Sequence, residues 1–381
     1  MATAQPPLRV LHVIPSLEPA GAEMMLLRLL ERCPRPAFES AVVTMVDGGA
    51  LRPAVEALGV PVISLGMRLG VPDPRGWWRL RRILRQCRPD LVQGWMYHAN
   101  LLASLAAGRV PVVWGLHHTS QQGADRKWTT RLVVGAGAHL ARRLPARVIA
   151  CAQAAADHHL AAGYDPATMV VVPNGVDLQR YQPDPAARAT VRAELGLAPE
   201  ALLVGVVARF HPFKDHRTLL AAAGLVARTR PDVAFALAGR DITPENATLA
   251  DWIGAEVLAG QVHLLGQRDD LPRLNAAFDL GCLSSLSEAL PVSLLETMAA
   301  GVPCVVTDVG DCARVVGETG RVVPPRDPAA LAAALGALLA MTPEQRLALG
   351  RAARERIAQH YSLESMVAGY QAVWREVAGR G

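Results

Sequence analysis

The sequence predicts an α/β protein made of two Rossmann-like domains, each a doubly wound parallel sheet. Short β-branched runs alternate with helical stretches along most of the chain, the pattern of strands joined by helical crossovers. The length, 381 residues, exceeds what one typical core accommodates and suggests two domains of ordinary size. Half of the residues are hydrophobic while few are aromatic, which suits layers rich in Ala, Leu and Val.

In the first half, Leu8 to Ile14 reads as a strand, residues 15–21 as a loop and Ala22 to Leu30 as a helix. Gly21 lets a ligand approach the backbone at this first strand-to-helix turn, and Glu23 falls in the first helical turn. A GxGxxG fingerprint is absent, which argues against a nicotinamide-dependent oxidoreductase. Strand-like runs recur at residues 40–45, 60–65, 91–93, 110–116 and 147–150. The run at 91–93 leads into Trp95-Met96-Tyr97-His98, where Trp95 and His98 are candidates to line a ligand cleft; a packed surface turn is the plainer reading of His98. The run ending at Leu116 leads into His117-His118-Thr119, and neutral imidazoles at a strand's carboxyl end can donate to a sugar hydroxyl or a phosphate oxygen.

Between these runs, Trp77, Leu80, Leu84 and Cys87 form a stripe at helical spacing, flanked by Arg79, Arg81, Arg82 and Arg85. Two readings stand open: a basic amphipathic helix lying on an anionic membrane, or an ordinary helix packing its stripe on the sheet. Nucleic acid is not an expected partner, because no binding module accompanies the charge.

Residues 170–172 read as another strand, and the Pro- and Asp-containing segment 179–188 as the interdomain linker, dividing the chain into 1–178, 179–360 and a last helical segment 361–381. A second sheet starts with the run 202–208, which ends in Arg209 and Lys214, two cations placed where a diphosphate could sit. Runs at 233–238 and 262–265 follow, with exit loops 239–241 and 266–271. Residues 320–323 are a last strand, Thr342-Pro343-Glu344 opens a capped helix, and a final helix begins at Leu363.

The most informative stretch is 279–311: strand, loop, helix, strand. Pro291 suits the first helical position, and Gly301 the position just past the last turn. The helix start then lies at the carboxyl end of a buried strand, where free amides favour a phosphate. Glu288 falls in the loop and Glu296 on the helix, seven residues between them. Carboxylates repel phosphate and accept hydrogen bonds from hydroxyls, so the pair suits a ligand with a diphosphate and a sugar at either end.

Ser287-Glu288 through Glu296-Thr297-Met298-Ala299-Ala300-Gly301-Val302-Pro303 resembles the Glu-x7-Glu motif of the retaining, nucleotide-sugar-dependent glycosyltransferases of family 4. Further stretches in the expected order extend the resemblance over nearly the whole chain. It implies the GT-B fold, two Rossmann-like domains facing across a cleft, the first binding the acceptor and the second the nucleotide sugar, with the last helix crossing back to the first. It implies that Arg209 and Lys214 hold the donor diphosphate together with backbone amides in the stretch from Pro291 through Val292 to Ser293, that Glu296 binds the ribose, and that Glu288 contacts the donor sugar. Loop 266–271, with Gln267 and Leu271, would run beside the base, and His117 beside the reacting sugar. His118 stands where the family often has Asp, which leaves open which ring faces the substrate. Ala20-Gly21-Ala22-Glu23 departs from the usual Gly-Gly-Ala-Glu by one glycine.

The implied reaction moves a sugar, with retention, onto a saccharide or lipid-linked saccharide in cell-envelope polysaccharide synthesis. A sugar-nucleotide epimerase of the same fold and a non-catalytic sugar-nucleotide-binding subunit are the alternatives. Neither a metal nor another cofactor is expected, since no acidic cluster with metal-ligand spacing is evident. Six scattered cysteines without a CxxC pair fit buried thiols in a reducing cytoplasm, and the opening residues lack the marks of a signal peptide. The expected location is the cytoplasm, at the inner face of the cell membrane if the Trp/Arg helix lies on lipid.

Overall fold

A computed structural model describes residues 6–34, 36–68, 73–117, 137, 140–198, 200–256, 258 and 260–379. The chain divides into two compact units, Met1–Gly175 with Leu363–Gly381, and Val176–Ser362. Each is built on one parallel sheet.

The first unit contains β1 (Leu8–Ile14), β2 (Phe38–Thr44), β3 (Val62–Ser64), β4 (Leu91–Trp95), β5 (Val112–Leu116), β6 (Arg147–Ala150) and β7 (Met169–Val171). Their order in the sheet is β3-β2-β1-β4-β5-β6-β7. The second contains β8 (Leu202–Val207), β9 (Val233–Ala238), β10 (Val262–Leu264), β11 (Leu280–Leu283), β12 (Cys304–Thr307) and β13 (Arg321–Val323), ordered β10-β9-β8-β11-β12-β13. In both, helices cover the faces, so the central strands are mostly apolar without alternation and buried throughout, as in β4, β5, β9, β11 and β12, with Gln93 and Thr307 as buried polar members.

Strand order reverses between β1 and β4 in one sheet and between β8 and β11 in the other. Open parallel sheets bind ligands at such reversals, outside the strands' carboxyl ends. The loops after β8 and β11 are those carrying Arg209, Lys214 and Glu288.

Two local expectations are corrected. Residues 185–188 are not linker: Pro185–Glu194 is a helix, capped by Asp184, whose carboxylate accepts the Ala187 amide at 2.9 Å, with Pro185 at its first position. Pro291 is not the first helical residue either. It has extended ψ (115°) and stands as the N-cap of Val292–Ala299. A proline fits there because it has no amide to leave unpaired.

The helix Pro74–Cys87 answers one of the two open readings. Leu80, Ile83 and Leu84 are buried in the first unit's core together with residues of the helix Tyr97–Ala107, and the half-buried Trp77 donates its indole N–H to the Leu105 carbonyl at 2.9 Å. The apolar stripe is thus spent on the protein itself. What the helix turns outward is Trp78, 63% exposed, among Arg75, Arg79, Arg82 and Arg85.

Candidate functional site

The second unit's site grows from the ends of β8 and β11. After β8 the chain runs through Arg209 and Phe210 into a single 3-10 turn, Pro212–Lys214, closed by Asp215 in a left-handed conformation (φ 46°). Asp215 then caps the helix His216–Ala227, its carboxylate accepting the Thr218 amide at 3.2 Å and hydroxyl at 2.7 Å. This tight turn directs the Lys214 side chain to the loop after β11. There Lys214 Nζ lies 2.5 Å from Glu288 Oε1, with the two side chains only 21% and 11% exposed.

The exit loops are stitched into one row by main-chain hydrogen bonds. The Gly239 amide donates to Gly266 O (2.8 Å), Phe210 to Arg240 O (2.8 Å), Leu286 to Phe213 O (2.7 Å) and Asp311 to Ala289 O (2.9 Å). Gly310 completes the seam. It has φ 56°, and a Cβ there would stand 2.3 Å from the Glu288 carbonyl oxygen, so only glycine lets this loop lie against the Glu288 loop.

Glu296 is buried on the helix Val292–Ala299. The helix packs closely onto β11: a Cβ at Gly281 would meet Thr297 Cγ2 at 2.7 Å. Its first amides, at Val292 and Ser293, follow Pro291 at the carboxyl end of β11. Arg209 is exposed, as is Gln267, while Leu271 begins the helix Leu271–Ala277. In the loop 266–271 Arg268 is bound to Asp270 through two contacts (2.7 and 2.6 Å), and Arg273 also donates to Asp270 (2.9 Å). The guanidinium of Arg268 therefore shapes the loop.

In the first unit, Gly21 begins the helix Gly21–Arg32. Glu23, two residues on, is buried, and burial raises its carboxyl pKa above the ordinary value. His117 follows β5 and is half-buried; His118 lies outside the described residues. His98 is the second residue of the helix Tyr97–Ala107, and burial lowers its pKa.

Trp95 is corrected: it does not line a surface. It is fully buried, because it ends a strand covered on both faces, and its indole lies between two rings, His117 (centroids 5.0 Å, planes 14° apart) and Tyr370 (5.6 Å, 12°). Its N–H donates to His12 Nδ1 at 3.3 Å, which leaves that ring protonated on Nε2. His12, wholly buried, has its pKa pushed down to about 3 by desolvation. Trp95 is thus the shelf beneath His117. Sequence reasoning missed Tyr370, 253 positions away from His117 along the chain, which only the return of the last helix to this unit brings in. It also missed Ser284, Ser285 and Thr307, whose one visible signal was small polar residues at strand ends.

Residues 19–180 match the family model described as Glycosyltransferase Family 4, and residues 201–341 the one described as Glycosyl transferases group 1. The chain is 27% identical over 312 residues to a putative glycosyltransferase EpsF of Bacillus subtilis, covering 79% of each. It is 26% identical over 320 residues to the UDP-Gal:alpha-D-GlcNAc-diphosphoundecaprenol alpha-1,3-galactosyltransferase of Escherichia coli, covering 81% of each. Its structure resembles that of Anabaena Alr3699/HepE, solved in complex with UDP, with a TM-score of 0.84 at 24% identity over 97% of this chain and 100% of that one. The two sheets with their switch-point loops, and the two models that between them span both units, show that this chain belongs to the family 4 glycosyltransferases, of GT-B fold.

Proposed function

We propose that the protein transfers a hexose or N-acetylhexosamine, with retention, from a nucleotide sugar to a saccharide or lipid-linked saccharide during cell-envelope polysaccharide synthesis. One observation carries the donor assignment: a cation and a carboxylate, from loops after the two strands flanking the switch point, meet at 2.5 Å. That arrangement offers positive charge for a diphosphate and an acceptor for sugar hydroxyls side by side.

In this reading Arg209 and Lys214 bind the diphosphate with the Val292 and Ser293 amides, and neutralise charge on the departing nucleotide. This is work that a metal performs in other transferases. Glu296 holds the ribose and Glu288 the donor sugar. Gln267 and Leu271 border the base, and Gly21 keeps the first turn of its unit open to a ligand. His117, backed by Trp95, is the histidine offered to the reacting sugar, with His98 on the acceptor side. The acceptor class is supported by the E. coli relative, whose name specifies a lipid diphosphate acceptor, and the donor class by that relative and the UDP complex of HepE. The proposed place of action is the cytoplasmic face of the membrane, with Trp78 and the neighbouring arginines meeting anionic lipid. No helix among the described residues is long and apolar enough to cross a membrane.

Calorimetric titration with UDP, GDP and ADP and their sugar conjugates, repeated on Glu296→Ala, tests the reading. Tight binding of one nucleotide, weakened in the variant, is the expected result; binding of none, with lipid vesicles and acceptor present, would overturn it.

A further inference from the structure

Consecutive serines follow β11, and their hydroxyls do different work. Ser284 Oγ donates to the main-chain carbonyls of Lys214 (2.9 Å) and Asp215 (3.1 Å), and so holds the backbone that carries the lysine. Ser285 Oγ donates to Glu288 Oε1 at 2.6 Å, the same oxygen that takes the Lys214 ammonium. Both serines are buried. Ser285 is itself fixed, because its carbonyl accepts the Thr307 hydroxyl at 2.6 Å.

The arrangement bears on what happens when a diphosphate arrives. Lys214 is already engaged, and any turn of its ammonium toward phosphate oxygens weakens its hold on Glu288. A carboxylate with 11% of its side chain exposed gets little help from water once its cation leaves. The Ser285 hydroxyl is a second donor on the same oxygen; it is carried on a backbone whose carbonyl is held by the Thr307 hydroxyl of β12, and it is buried, so it stays with Glu288 when the lysine turns away.

We propose that Ser285 is a positioning residue for the donor sugar. Its hydroxyl holds the Glu288 carboxylate in place while Lys214 shifts its charge to the diphosphate, so that Glu288 remains aimed at the sugar hydroxyls. Ser284 has the complementary duty of placing Lys214. The inference rests on the reading of Glu288 as the sugar-contacting acid.

The experiment compares Ser285→Ala, Ser284→Ala, Glu288→Ala and the double variant Ser285→Ala/Glu288→Ala. Each is titrated with UDP and with UDP-glucose, UDP-galactose and UDP-N-acetylglucosamine, or with the matching set for whichever base the wild type binds. Ser285→Ala should weaken the preferred sugar conjugate roughly tenfold, the scale of a hydrogen bond to a charged group, and change the bare diphosphate less than twofold. Ser284→Ala should weaken both alike. In the Glu288→Ala background the loss of Ser285 should add nothing. Equal losses for diphosphate and conjugate in Ser285→Ala, no loss for either, or additive losses in the double variant would overturn the inference. If Glu288→Ala itself leaves the preference for the conjugate intact, the assignment of Glu288 is what fails. Melting curves of each variant separate a loss of binding from a loss of fold.

Discussion

Lys214 Nζ and Glu288 Oε1 stand 2.5 Å apart although 74 positions separate the two residues in the chain. The contact exists because β8 and β11 are neighbours in the sheet, at the point where strand order reverses, and both loops leave by the carboxyl end. A reaction that needs a cation beside a hydroxyl acceptor finds them assembled by topology.

Replacing Lys214 or Glu288 with Ala should therefore abolish most transfer while leaving the fold in place. A fall in kcat/KM on the order of a hundredfold or more is expected for each, from the loss of charge stabilisation at the leaving group or of sugar contact. Radiolabelled sugar transfer, read beside circular dichroism, checks this; near-normal turnover would contradict the assignment.

Gly310→Ala should damage the same site without touching its chemistry. The left-handed backbone alone costs roughly 1–2 kcal/mol for a residue with a Cβ. The new methyl would also press on the Glu288 carbonyl, 2.3 Å away before relaxation. A lower melting temperature together with weaker sugar-nucleotide binding is the expected pair of outcomes.

Trp95→Ala should cost roughly 3–5 kcal/mol of stability, as for other large aromatic deletions in a core. Beyond that, His117 loses the ring it stacks on. Trp95→Phe retains a stacking face and should recover most transfer activity, whereas equal activity in Phe and Ala variants would show that the shelf does not matter.

Stability should fall as pH is lowered below about 6.5, the ordinary histidine value. His12 is held neutral in the folded state with a pKa of about 3, and His216 with one of about 4, chiefly by burial. Unfolding lets each take up a proton, so the unfolded state binds more protons between the two values and stability rises with pH there. Each histidine contributes a slope of at most about 1.4 kcal/mol per pH unit. Urea unfolding at pH 7 and pH 5 checks this, and His12→Gln should flatten the profile.

Membrane association should depend on Trp78 and on charge. Sedimentation with phosphatidylglycerol vesicles should fall in Trp78→Ala and at high salt, because exposed arginines are screened. Insensitivity to both would remove this face from consideration.

Much of this architecture was legible in advance because parallel strands buried on both faces announce themselves as apolar runs, and because Glu288, Arg209 and Lys214 sit immediately beyond such runs. Trp95 misled for the same reason in reverse: it follows an apolar run, yet is the last buried residue of the strand. The partners that hold the site escaped notice, since Ser285 and Thr307 meet across strands and Tyr370 comes from the far end of the chain. Local patterns mark which residues leave a sheet, and pairing across the sheet decides which of them meet.

The row of main-chain hydrogen bonds joining the exit loops of β10, β9, β8, β11 and β12 has an evolutionary corollary. Peptide groups are the same whatever side chains they carry. The frame around Lys214 and Glu288, the proposed donor site, thus survives replacement of most loop residues, glycine at 310 excepted. A lineage can then change which base or sugar it accepts by exchanging side chains on a frame that does not move.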